Sequence, residues 1–206
     1  MLKILSFNLL IISFVLISCA KKSTSSTTTS STTYPTSTSG VTASGSMTVG
    51  SETLSGTYAV VCSDASSLSA KPSDTTHVGF VIVVTGSSTF TRELNYYTDS
   101  ACTSLSLGWY FNNTSLVVGD ASGSDYKVAY TQANQTILAK TTAGETFIEN
   151  LFGAGLDVTV GTAYVITSGI PYKNLIKVSG TNLDLGNKIY GERYPSTSDG
   201  INYVKQ

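Results

Sequence analysis

Beyond residue 50 the apolar residues alternate with polar ones far more often than they recur at helical spacing, a pattern that predicts strands. Tyr58, Val60 and Cys62 alternate after Gly56, and His77 to Val84 runs through Thr85-Gly86-Ser87-Ser88 to Phe90, Leu94 and Tyr96, a hairpin signal. Leu105, Leu107, Trp109 and Phe111 give the cleanest alternation, and Asn112-Asn113 after them predicts a turn before a short strand over Ser115 to Val118. Tyr126 to Thr131 and Thr136 to Lys140 read as the next pair. Phe147, Ile148, Leu151 and Phe152 instead fall at helical spacing, with Thr141 or Thr142 as N-cap and Gly153 past the end, so one short helix is expected near 144–152. The alternation resumes in Leu156 to Val160, Thr162 to Ile166, Tyr172 to Val178 and Asn182 to Leu185, the last two joined through Ser179-Gly180; Ile201 to Val204 ends the series.

About eight to ten short strands with one helix predict an all-β fold, a single antiparallel up-and-down β-barrel, with a β-sandwich as the alternative. In such a meander strand one climbs to Cys62, the next descends to Val84 and the third climbs to Tyr97. Cys62 and Cys102 then lie at one pole, which permits a bridge. Closure also removes exposed sheet edges.

The first fifty residues follow other rules. Lys3 precedes an apolar run, Ile4 to Ile17, of signal-peptide length and too short to span a bilayer comfortably, so 1–18 reads as a signal peptide. Leu16-Ile17-Ser18-Cys19 resembles the bacterial lipobox. That resemblance implies a diacylglycerol on the Cys19 sulfur, cleavage before it, and an acyl chain such as palmitate on the new amine; an ordinary secretory signal is the alternative. One acyl chain binds a membrane marginally, whereas two or three hold a protein there. Ala20, in place of the aspartate that retains enteric lipoproteins at the inner membrane, implies the outer membrane. Ser23 to Gly50 is almost wholly Ser and Thr and offers little apolar surface to offset the entropy of ordering. The expected division is therefore 1–18 signal peptide, 19–50 lipidated cysteine and disordered tether, and 51–206 barrel domain.

Charge narrows the partners. Twelve Lys and Arg stand against thirteen Asp and Glu, and Lys21-Lys22 is the only basic run in the mature chain, so nucleic acid is excluded as a partner. With Cys19 lipidated, two of three cysteines remain, and in an oxidising compartment Cys62 and Cys102 are expected to bridge. His77 is the single histidine, so a catalytic triad or a multi-histidine metal site has one imidazole to draw on. No Gly-x-Ser-x-Gly elbow occurs; Ser124-Asp125-Tyr126-Lys127 matches Ser-x-x-Lys but opens a strand rather than a helix. Asp120, Asp125 and Asp157 lack a calcium-loop pattern and read as turn formers. We expect no catalytic residues, no metal and no cofactor.

Strict alternation through Phe90, Arg92, Leu94 and Tyr96 turns Arg92 to the apolar face. A buried charge needs a partner. Three readings stand: a cap at one end of the barrel, a partner for a ligand carboxylate, or a bulge that returns Arg92 to solvent. Tyr58, Trp109, Tyr110, Phe111, Tyr164 and Tyr172 furnish an aromatic lining if the interior is hollow and core if it is filled.

Gly56-Thr57-Tyr58 before Cys62, the segment Tyr96 to Thr103, and the closing run Tyr172 to Gly186 resemble bacterial envelope lipoproteins with a lipocalin-like, or calycin, barrel. The resemblance implies a cup for a small apolar molecule. The expected function is a lipid-anchored cell-envelope lipoprotein that binds a small apolar ligand, or a partner through its loops; the alternative is a structural or adhesive surface lipoprotein with a filled barrel.

Overall fold

The computed structural model describes residues 32–153, 155–186, 189–190, 193–196 and 201–206. Cys19 and the signal segment lie outside the described residues. Twelve strands run in chain order as β1 (Met47–Val49), β2 (Glu52–Leu54), β3 (Thr57–Ala59), β4 (Ser63–Asp64), β5 (His77–Val84) and β6 (Phe90–Tyr97), then β7 (Leu105–Ser122), β8 (Asp125–Ala139), β9 (Ala163–Ser179), β10 (Asn182–Leu185), β11 (Ile189–Tyr190) and β12 (Asn202–Lys205). The one helix, α1 (Thr142–Phe152), lies between β8 and β9.

Eight of these strands close an antiparallel up-and-down barrel, in the order β3, β5, β6, β7, β8, β9, β10, β12 and back to β3. β11 pairs β9 outside that ring, β4 extends the β5 edge, and β1 and β2 form a separate hairpin. The sandwich alternative is thereby set aside. Cys62 and Cys102 are bridged, with Cα atoms 6.1 Å apart, at the pole that the meander assigned them.

The central strands proved longer than the alternation suggested. Asn112-Asn113 makes no turn: β7 continues through it with register shifts at 112/113 and between 114 and 117, and the hairpin forms instead at Gly123, where φ is +67°. Bulges absorb an extra residue without ending a strand, so polar residues at such points mimic a turn in the sequence. β8 and β9 each merge two expected strands, and the expected strand Leu156 to Val160 is loop, tied down by buried Val158. α1 forms as expected: Thr141 caps it by accepting from the Gly144 amide at 3.1 Å, and Gly153 ends it at φ +81°.

The largest correction concerns residues 32–50, expected as tether. They pack against the barrel. The Cys62 amide donates to Thr33 O at 2.9 Å, and Tyr34, Val41 and Ala43 cover the outward-facing Ala59, Val81 and Val83. Ser44 donates from its amide to Val84 O at the far rim, and the chain turns there, at Gly45 (φ +72°), into the β1–β2 hairpin. Met47, Val49 and Leu54 then enter the barrel core. The barrel domain thus begins at Thr32. Composition missed this because the donors of the Ser and Thr side chains are matched to acceptors on another element, which the segment itself does not display.

Two apolar clusters fill the ends of the bore. At the disulfide pole Val78, Tyr96, Leu107, Ile137 and Ala139 pack beneath Ile148 of α1. At the opposite pole Ile82, Phe90, Tyr130, Ile176, Leu183 and Tyr203 pack around the β1–β2 hairpin.

Candidate functional site

Between the two clusters, register places two transverse rows of side chains on the inner face. Phe80, Leu94, Trp109, Ile137 and Tyr164 form one, and Ile82, Arg92, Phe111, Gln135 and Ile166 the other. Ile82 and Ile137 are buried, but the remaining eight are only half-buried although they point inward. The outer face of the same wall is the reverse case: Thr91, Glu93, Asn95 and Tyr97 are buried beneath the N-terminal segment. Phe80, Leu94, Trp109, Tyr164 and Ile166 pack against the cluster at the disulfide pole but are less fully buried than its centre. Among the described residues no strand pairs with residues 163–171 on the β9 edge away from β8, since β10 pairs only Ile176 to Ser179 and β11 pairs only Tyr172 and Lys173.

Trp109 organises the waist. Its indole N–H donates to Gln135 Oε1 at 2.8 Å, Phe111 stacks on it with centroids 5.4 Å apart, and Phe152 of α1 meets it edge-on at 5.7 Å. Aromatic faces of this kind accept flat or aliphatic apolar matter at little entropic cost. Arg92 projects inward in the same row as Phe111 and Gln135, so the inward reading holds and the bulge reading does not. Its charge is felt by Tyr130, whose hydroxyl pKa burial pushes up and the guanidinium pulls back. Asn174 donates to that hydroxyl at 3.3 Å, which makes the floor of the waist polar.

The expected lining residues thus divide. Arg92, Trp109, Phe111 and Tyr164 come together at the waist, whereas Tyr58 (0% exposed) and Tyr172 (4%) are core beneath the hairpin. Their positions toward the hairpin pole, not their chemistry, decide this. Sequence reasoning missed Gln135, Phe80 and Ile166, which alternation alone does not distinguish from other inward residues; Gln135 pairs with Phe111, Ile166 with Gln135, and Phe80 with Leu94 beside Trp109, so strand register is what selects them.

Other candidates stay apart. His77 begins β5, half-buried, with Nδ1 3.0 Å from Thr76 Oγ1. Ser124 Oγ bonds Asp125 Oδ1, while Lys127 lies over the Tyr194 ring at 5.6 Å. Among the described residues no three His, Cys, Asp or Glu side chains gather as metal ligands. Asp99 accepts from the amides of Ala101, Thr103 and Ser104; partial desolvation opposes its ionisation, but these bonds outweigh it and hold the carboxyl below its usual range. That carboxylate shapes the loop carrying Cys102.

No family model matches the chain, and no curated protein matches it.

Proposed function

We propose that this protein is a lipid-anchored envelope protein of the outer membrane whose barrel binds a small apolar molecule at its waist. The observation that carries the binding reading is the row of inward-facing yet half-buried apolar residues around Trp109, flanked by one cation, Arg92. Arg92 and Gln135 suit the polar end of the ligand, and Phe111, Leu94, Phe80 and Ile166 its apolar body. The lipobox-like Leu16 to Cys19 supports the anchor, and the Cys62–Cys102 bridge suits an oxidising compartment.

A scaffold or surface adhesin with no ligand is the second reading, and one observation favours it: the void among Met47, Leu54, Ile82, Phe90 and Leu116 measures about 10 Å³, so that end of the bore is full. Intact-mass measurement of the mature protein tests the anchor, with diacylglycerol and acyl mass on Cys19 expected. Titration with fatty acids, sterols and haem tests the waist through Trp109 emission. Saturable quenching supports the carrier; unchanged emission across all three classes leaves the scaffold.

A further inference from the structure

Residues 32–46 climb the outer wall of β5 and β6 as a strap, assigned to no strand, and are held chiefly by one buried carboxylate. Glu93, on the outer face of β6 and 0% exposed, accepts Ser37 Oγ and Ser39 Oγ on Oε1, both at 2.6 Å. Its Oε2 accepts the Thr38 amide at 2.9 Å and Asn95 Nδ2 at 3.1 Å. Thr38 is gripped further, donating from Oγ1 to Asn95 Oδ1 at 2.9 Å, while Tyr110 OH donates to Thr38 O at 3.1 Å. Among the described residues every donor to this carboxylate is neutral, and all but Asn95 belong to the strap. Burying the charge is tolerable only while the strap is seated.

The strap leads directly to the plug. Gly40, Gly45 and Gly50 all have positive φ, which places permissive joints before, at and within the crossing of the rim. In the hairpin that flanks Gly50, Met47, Val49 and Leu54, with no polar group among their side chains, sit in a ring that includes Ile82, Phe90, Leu116, Ile176, Leu183 and Leu185. The side chains nearest the plug, Ile82, Leu116, Ile176, Leu183 and Leu185 with Phe90, are mostly aliphatic, and Tyr58, Tyr130, Tyr172 and Tyr203 complete the same cluster. The plug's three side chains take the place that a hydrocarbon chain would fill.

We infer that the β1–β2 hairpin is a displaceable plug, latched by Glu93 through the strap, and that it covers in cis a site for an aliphatic chain. This goes beyond the waist reading and rests on it only for the supply of ligand. Hydrogen exchange on the full mature chain in lipid nanodiscs tests it, with oleate as probe. In S37A/S39A and in E93A, amides of 37–44 and of 47–54 are expected to exchange at least tenfold faster together, while those of 105–139 keep the wild-type rate. Oleate is expected to deprotect 47–54 in the wild type, and at lower concentration in S37A/S39A. Should E93A lose protection throughout, the double variant decides, since its two hydroxyls lie outside the barrel. Loosening of the strap with 47–54 still protected overturns the latch. Oleate that leaves 47–54 protected overturns the covered site, and quenching of Trp109 in the same titration shows that the waist reading stands without it.

Discussion

At the scale of single residues the structure turns on close approaches and buried polar groups. A Cβ on Gly144 would stand 2.5 Å from Ser106 O, a backbone atom that has no room to retreat. Gly144→Ala should therefore cost about 2 kcal/mol despite its better helix propensity, measured by denaturant unfolding. Tyr96 and Tyr110 are both pushed up to about 12, chiefly by burial; at Tyr110 the bond to Thr38 opposes the shift and the Glu93 charge adds to it. The phenols of the unfolded chain ionise near the ordinary value, so above about pH 10 the unfolded state holds fewer protons than the folded one. Stability should be unaffected by these groups below that pH and fall between about 10 and 12, by roughly 1.4 kcal/mol per pH unit for each. Thermal unfolding followed across that window checks it, and Tyr110→Phe should flatten the slope. Arg92 was legible at this scale, because a charge in strict alternation with Phe90, Leu94 and Tyr96 faces inward unless a bulge intervenes. Glu93 was not, because its neighbours Thr91 and Asn95 make that face look solvated, and its partners lie more than fifty residues away.

At the scale of elements, hairpins with clear turn chemistry could be read directly: β5 and β6 around Thr85 to Thr89, β9 and β10 around Gly180. β7 and β8 could not, since register shifts inside a long strand bring polar residues into positions that resemble turns. α1 was visible from its cap and its spacing. Thr141→Ala should destabilise by about 1 kcal/mol, because the Gly144 amide loses its acceptor, and the loss should appear in denaturant midpoint without a change in slope. The disulfide joins Cys62 to the loop after β6, closing 40 residues of sequence. C62S/C102S should cost about 3 to 4 kcal/mol on the chain-entropy view. Since the Cys62 amide also holds Thr33, the same variant should raise hydrogen exchange at the start of the strap.

For the whole molecule, the sequence carried the closed meander and the common pole of the cysteines, because both follow from counting strand directions. What it withheld was the state of the interior. Alternation reports which residues point inward, but whether they meet one another or leave room depends on how the hairpin and α1 close the two poles, and both closures are long-range. The resulting barrel is full at its hairpin end, and its waist rows are less completely buried, with Trp109 between Phe111, Phe152 and Gln135. Trp109 is the sole tryptophan, so its indole N–H gives a single, isolated nuclear magnetic resonance signal. Titrating the folded protein with apolar compounds drawn from fatty acids, sterols and haem should move that signal in a saturable way for at least one class, and Arg92→Leu should weaken the response to anionic members. A signal that stays fixed against every class, in protein whose fold is intact, contradicts binding at the waist.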